Sequence, residues 1–382
     1  MIISNKKRNV GLDIARTLAI LLVLFSHTKW ISDHYPVVVE SAMRLSGTIG
    51  VEVFFMISGF LIGKIILREI NDPNFSLLHI KSFLLRRWFR TFPNYYLLLT
   101  VNVVVWFIIY GELPDKLYKY FIYLQNFSQP SLPFYRVSWS LSVEQFSYII
   151  GPILLLLSIK LFPKKNRDTL FLWVTLFIIL CFTFTKIHFY FTDTLTDIVD
   201  WNENIRKVVI YRLDVIYYGF LLRYFYTKWR DWLVDKKRRI LWLGIVIIIL
   251  LHVFRPFLGI TVEKQAFFMI VMYLPINSFA IACLMPYLDT MEIKSKLSVK
   301  FFTTISLISY SLYLLHYTII LHTMKVVFPS ESLRGIGLWA YTFLYWGITI
   351  LLSYLLYIYF EKPLTDLRDS NRFKRLFRKT NI

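Results

Sequence analysis

Arg16 and His27 stand eleven residues apart in a stretch, Asp13 to Trp30, that is otherwise almost wholly apolar. Read as a helix, eleven steps of ~100° make three turns plus about 20°, so the two side chains share a face, ~16 Å apart along the axis. An imidazole can take and return a proton near neutral pH, a guanidinium can hold an anion, and ionisable groups in an apolar helix face a cavity or a partner. For this helix taken alone the plainer arrangement is the default: Arg16 snorkels to one interface and His27 sits at the other. Glu52, in the run Gly50 to Leu61, is too deep among apolar residues to be solvated and needs a partner, for which His27 is the natural candidate. Arg87 and Arg90 are one helical turn apart, a spacing that points two guanidinium groups at one target and suits phosphate or pyrophosphate. Bases at a helix end are also ordinary topology anchors.

The elements that position these residues are membrane helices. Of 382 residues, 57% are hydrophobic and 18% charged, and the mean hydropathy is +0.54. A soluble domain could not bury that much apolar side chain, so the chain reads as an all-α, polytopic transmembrane bundle. A net charge of +20 would suggest nucleic acid in a soluble chain, but here the distribution of charge sets topology instead, and no nucleic-acid partner is expected. Apolar segments near 13–30, 47–67, 91–110, 139–162, 168–187, 207–226, 240–258, 266–288, 301–325 and 337–360 predict about ten spans. Bases such as Arg86, Lys164, Lys236, Arg239 and Lys296 fall in alternate loops, which predicts cytoplasmic termini at both ends. Lys6, Lys7 and Arg8 before the first apolar run imitate a signal peptide, but with no small-residue cleavage site the helix is expected to be retained. Residues 1–363 form the membrane domain and 364–382 a basic cytoplasmic tail. Cys181 and Cys283 lie within apolar segments, which argues against a disulfide framework or a thiolate metal site, and no metal is expected.

The motifs, in order, resemble those of the acyltransferase-3 family of integral membrane acyltransferases. Leu12 to His27 resembles its opening signature, an Arg or Lys, ten residues and a His; Glu52 to Phe60 resembles its acidic-aromatic Ser-Gly-Phe motif, which includes Ser58. Gly59 and Gly63 in that run are spaced for close helix approach. Trp139 to Tyr148, with Glu144 and Pro152, resembles a Trp-Ser-Leu-Ser-Val-Glu-Glu-Gln-Phe-Tyr motif but carries Gln145 where a second Glu is common, so a role needing adjacent carboxylates is in doubt. Arg212 and Asp214 resemble an Arg-x-Asp element; two positions apart on a helix, they need not pair with each other. Ser309 to His316 and Glu361-Lys362-Pro363 resemble C-terminal signatures, the latter expected simply to end the last helix, since proline disfavours its continuation.

Depth arithmetic at ~1.5 Å per residue brings His27, Glu52, Glu144, Asp214 and His316 to one level in the outer half of the membrane, with Arg16, Arg87 and Arg90 near the inner face. The resemblance implies an O-acyltransferase that binds no cofactor and uses acyl-CoA, most simply acetyl-CoA, as co-substrate. Arg16, Arg87 and Arg90 would bind the coenzyme from the cytoplasm. His27, made more basic by Glu52, would act as general base or form an acyl-histidine. Ser58, Trp139, Glu144, Tyr148, Arg212, Asp214 and His316 would shape the acceptor side of the cavity. The implied acceptor is a hydroxyl of a surface polysaccharide, lipopolysaccharide, glycolipid or other carbohydrate. The expected location is the cell membrane, the inner membrane in a Gram-negative cell. The alternative is a transporter or exporter of a glycan or lipid-linked sugar, since buried ionisable residues on about ten spans suit a carrier as well. Neither oligomeric state nor acyl chain length follows from the sequence.

Overall fold

Apolar runs of this length leave the backbone no water to bond with, so each must satisfy its own amides as helix. The computed structural model describes residues 8–369, whose regular structure is all helical, with no strand among them. Helices of thirteen residues or more occupy all ten expected segments: α1 Val10–Thr28, α2 Val37–Ile70, α3 Leu77–Tyr110, α4 Trp139–Leu161 and α5 Arg167–Thr192. The second half supplies α6 Asp214–Lys228, α7 Lys237–Ile249, α8 Tyr273–Asp289, α9 Lys296–Leu315 and α10 Gly335–Leu356. Eight helical stretches among the described residues are long and apolar enough to cross a membrane. The other two of the expected ten, α6 and α7, are 15 and 13 residues long. Helix α6 is short because a 3₁₀ turn, Val209–Tyr211, and Arg212 precede it, and α7 because it passes into a π-helical turn, Leu250–Phe254. Most of the expected basic tail, residues 370–382, and Lys6 and Lys7 lie outside the described residues.

Local sequence sets the helix ends. The Asn9 side chain accepts from the Leu12 amide and Asp13 sits in the first turn of α1, where an acid meets the positive end of the helix dipole. Asn166 and Ser295 cap α5 and α9 in the same way. Gly111 ends α3 at φ +74°, a left-handed conformation that costs glycine nothing. Helices α2 and α3, each 34 residues, are longer than the apolar windows suggested and carry their polar ends past a ~30 Å hydrocarbon layer.

In packing order the bundle runs α10, α9, α1, α2, α6, α5, α4, with α7 and α8 paired against α6, α1 and α2. Helices α1 and α9 run parallel: Ser306 and Thr303 donate to Asp13, Thr17 donates to the Phe302 carbonyl, and His316 meets His27 further along. Gly59 and Gly63 are packing residues. A Cβ on Gly59 would stand 2.1 Å from the Ile216 carbonyl oxygen and 2.9 Å from Gly219 Cα, so α2 and α6 touch backbone to backbone there. The last helix does not stop at Glu361. It passes through a π turn, Tyr357–Glu361, and resumes as Lys362–Asp369. Pro363 follows directly on the π turn, in which the Lys362 amide bonds back to Tyr357, so its missing amide falls where the α-helical ladder is already interrupted.

Candidate active site

A cleft of about 140 Å³ opens among α1, α2, α3, α4 and α9. Arg16, Arg87 and Arg90 line it together, so three cations from two helices, α1 and α3, face one cavity. Arg16 lies 3.6 Å from Asp13, which Arg8 also grips with two hydrogen bonds of 2.9 and 2.7 Å. The guanidinium of Arg87 lies over the Tyr148 ring at 5.8 Å. Further in, Ser58 donates to Glu144 at 2.6 Å, and both line the cleft with Tyr148. Tyr313 closes this end, its hydroxyl 2.7 Å from Ser140 and donating to the Val137 carbonyl at 2.9 Å.

His27 and His316 are not among the lining residues. They stand behind Tyr313, whose ring centroid is 5.9 Å from that of His316. The two imidazoles meet edge to face, with Nε2 of His316 3.2 Å from Nδ1 of His27. Their backbone contacts assign the tautomers. Nδ1 of His27 faces the Val23 carbonyl at 2.9 Å, and Nδ1 of His316 faces the Tyr313 carbonyl at 2.8 Å. A carbonyl only accepts, so each Nδ1 carries the hydrogen in the neutral ring. His316 Nε2 is then an acceptor that shares the Nδ1–H of His27, and Nε2 of His27 is left with a bare lone pair. That atom has the electronic character of a general base.

Glu52 does not pair with His27, contrary to expectation. It accepts from Arg212 at 2.5 Å, with both side chains buried. The close approach of α2 and α6 at Gly59 explains this, because it brings the residue just ahead of α6 against α2, and a permanent cation compensates a buried carboxylate more fully than an imidazole. Asp214, the first residue of α6, accepts from Lys186 of α5 at 2.5 Å. Arg212 and Asp214 thus pair in different directions, as their spacing predicts, and clamp α6 between α2 and α5. The single polar cluster expected at one level is divided into separate contacts: His27 with His316, Glu52 with Arg212, Asp214 with Lys186, Glu144 with Ser58. Trp139 packs under the Arg206 guanidinium at 5.2 Å and edge-on to Phe55 at 5.9 Å. Arg206 lies outside the spans, and burial pulls its guanidinium below its ordinary value against the opposing pull of Glu52.

Sequence reasoning passed over Lys186, Arg206, Tyr313 and Asp13. Lys186 is legible as an isolated base in an apolar run; Tyr313 falls within the Ser309 to His316 signature, but nothing in the sequence assigns it a place in the cleft.

A family profile described as an acyltransferase domain, acyltransferase type 3, matches residues 9–358. Among relatives, a Staphylococcus aureus (strain COL) protein provisionally named an O-acetyltransferase is 26% identical over 179 residues, 43% of this chain and 27% of its own length. A Bacillus subtilis (strain 168) protein provisionally named a peptidoglycan O-acetyltransferase is 30% identical over 178 residues, 41% of this chain and 25% of its own. An uncharacterised Haemophilus influenzae protein is 34% identical over 159 residues, 36% of this chain and 62% of its own. The chain spans about a quarter of the length of the two named relatives. No solved structure matches it.

Proposed function

The chain belongs to this acyltransferase-3 family, and from that premise we propose that it is a multi-pass membrane O-acyltransferase. It moves an acyl group, acetyl in the simplest case, from acyl-CoA to a hydroxyl of a surface glycan, lipopolysaccharide or other carbohydrate. The observation that carries this reading is the cleft lined by Arg16, Arg87 and Arg90, with His316 packed against Tyr313 of the same lining. Guanidinium groups suit the coenzyme phosphates, which they can grip through planar, paired hydrogen bonds. The relatives named O-acetyltransferases support acetyl, and the one whose name includes peptidoglycan supports an acceptor at the cell surface.

In this reading His27 Nε2 accepts the proton of the acceptor hydroxyl as its oxygen attacks the thioester carbonyl. The new C–O bond forms, the C–S bond breaks, and the imidazolium returns its proton to the departing thiolate. The Val23 carbonyl and His316, rather than Glu52, hold the ring in the required tautomer. Glu52–Arg212 and Asp214–Lys186 keep the helices in register around the site, and Ser58, Glu144 and Tyr148 line the path between donor and acceptor. The proposed location is the cell membrane, the inner membrane in a Gram-negative cell.

The test is transfer of label from radiolabelled acetyl-CoA to surface glycan in membranes holding wild-type chain or His27→Ala at matched folded levels. Label in the wild type alone supports the reading. Equal label in both removes His27 from the chemistry.

A further inference from the structure

Glu361 is a buried carboxylate with no part in the chemistry above. It closes the π turn Tyr357–Glu361, a wide turn of the kind that re-aims side chains at functional sites. Its Oε2 accepts from Ser311 of α9 at 2.6 Å and from Asn94 of α3 at 2.8 Å, and Asn94 also donates to Ser311 at 3.0 Å. Three helices therefore meet at one carboxylate oxygen.

Asn94 is the significant member. Arg87, Arg90 and Asn94 fall at i, i+3 and i+7 on α3, one face, with Asn94 a single turn beyond Arg90. Between Arg90 and Asn94 stands Pro93, which has no amide to close the helical bond to Phe89 and is where a helix yields most easily. On the near side of the proline, Tyr310 of α9 donates to the Thr91 carbonyl at 2.8 Å; on the far side, Ser311 and Glu361 hold Asn94. Tyr310 and Thr91 themselves line the cleft with the arginines. The weak point of α3 is thus moored to α9 on both sides.

We propose that Glu361 is a positioning residue for Arg87 and Arg90. Through Asn94 and Ser311 it fixes the angle of the arginine-bearing half of α3 across Pro93 and so sets the affinity for the coenzyme, without touching the reacting atoms. The proposal rests on the reading of those arginines as coenzyme ligands.

The experiment measures equilibrium binding of coenzyme A to the purified full chain in detergent, beside KM and kcat for acetyl-CoA. Glu361→Leu is expected to weaken coenzyme A binding and raise KM about tenfold, the scale of one lost charge-assisted hydrogen bond, with kcat within about twofold. Glu361→Gln, whose carboxamide oxygen still accepts from both donors, is expected to stay near wild type. The double variant Glu361→Leu with Asn94→Ala should be no worse than Glu361→Leu alone, because the two act as one unit. Where Glu361→Leu fails to accumulate, Ser311→Ala removes one donor and carries the same prediction at smaller amplitude. Arg87→Ala is the control for the underlying reading. If it weakens coenzyme A binding and Glu361→Leu does not, Glu361 is a packing residue and the proposal is overturned while the arginine assignment stands. If Arg87→Ala itself binds normally, the assignment and the proposal fall together.

Discussion

Nε2 of His316 lies 3.2 Å from Nδ1 of His27, and the Nδ1 atoms of both rings face main-chain carbonyls. The pair is therefore ordered: His316 is the fixed acceptor, and His27 is the ring whose outer nitrogen stays free. His316→Phe keeps a ring in place and removes the acceptor. It should lower kcat about tenfold with KM nearly unchanged, whereas His27→Ala should lose about 10²–10⁴ of the rate, the range of general-base catalysis. Initial rates in membranes at saturating acetyl-CoA measure both; equal losses would contradict the ordering.

The presence of Arg16, Arg87 and Arg90 in one cleft implies a binding energy that salt erodes. KM for acetyl-CoA in the wild type should rise between low and physiological ionic strength. Arg90→Ala should start higher and rise less, and Arg90→Lys should recover only part of the affinity, because an ammonium cannot present a planar fork. A KM series at three salt concentrations checks the slope for each.

Glu52 and Arg212 are buried together, so removing one partner leaves the other uncompensated. Glu52→Leu or Arg212→Leu alone should destabilise the fold by about 3–5 kcal/mol. Glu52→Leu with Arg212→Met should recover much of that loss. Thermal unfolding in detergent separates this from a catalytic role for Glu52: a double variant that is stable and active leaves Glu52 purely architectural.

At Gly59 a methyl group would stand 2.1 Å from the Ile216 carbonyl oxygen, a distance no Cβ contact occupies. Gly59→Val should cost more folded protein than the same change at Gly347, where an added Cβ would meet nothing within 4 Å beyond the adjacent backbone of its own helix. Fluorescence-detected size exclusion of the two variants shows the difference.

All ten apolar segments of the chain are helical, because hydropathy over a long window reports the solvent around a backbone directly. The arginines of the cleft are legible too: Arg87 and Arg90 announce themselves by spacing, and Arg16 by its isolation in an apolar helix. Partners across helices were another matter. His27 is the natural candidate for Glu52 from the sequence, yet Arg212 is the partner, and the choice depends on how close Gly59 lets α6 approach. Glu361 was misread for a related reason. Its motif looks like a helix stop, and only the π turn that it closes, together with the positions of Asn94 and Ser311, turns it inward.

The Lys186–Asp214 contact has an electrical consequence. A lone charge moved across an energised membrane gains or loses about 2.3 kcal/mol per 100 mV. Two opposite charges held 2.5 Å apart feel almost the same potential, so the field does no net work on the pair when α5 and α6 shift together. The Glu52–Arg212 contact behaves likewise. Neither pair therefore gives a membrane potential a net charge to act on, and a change of voltage does no work through them on the helices that carry them.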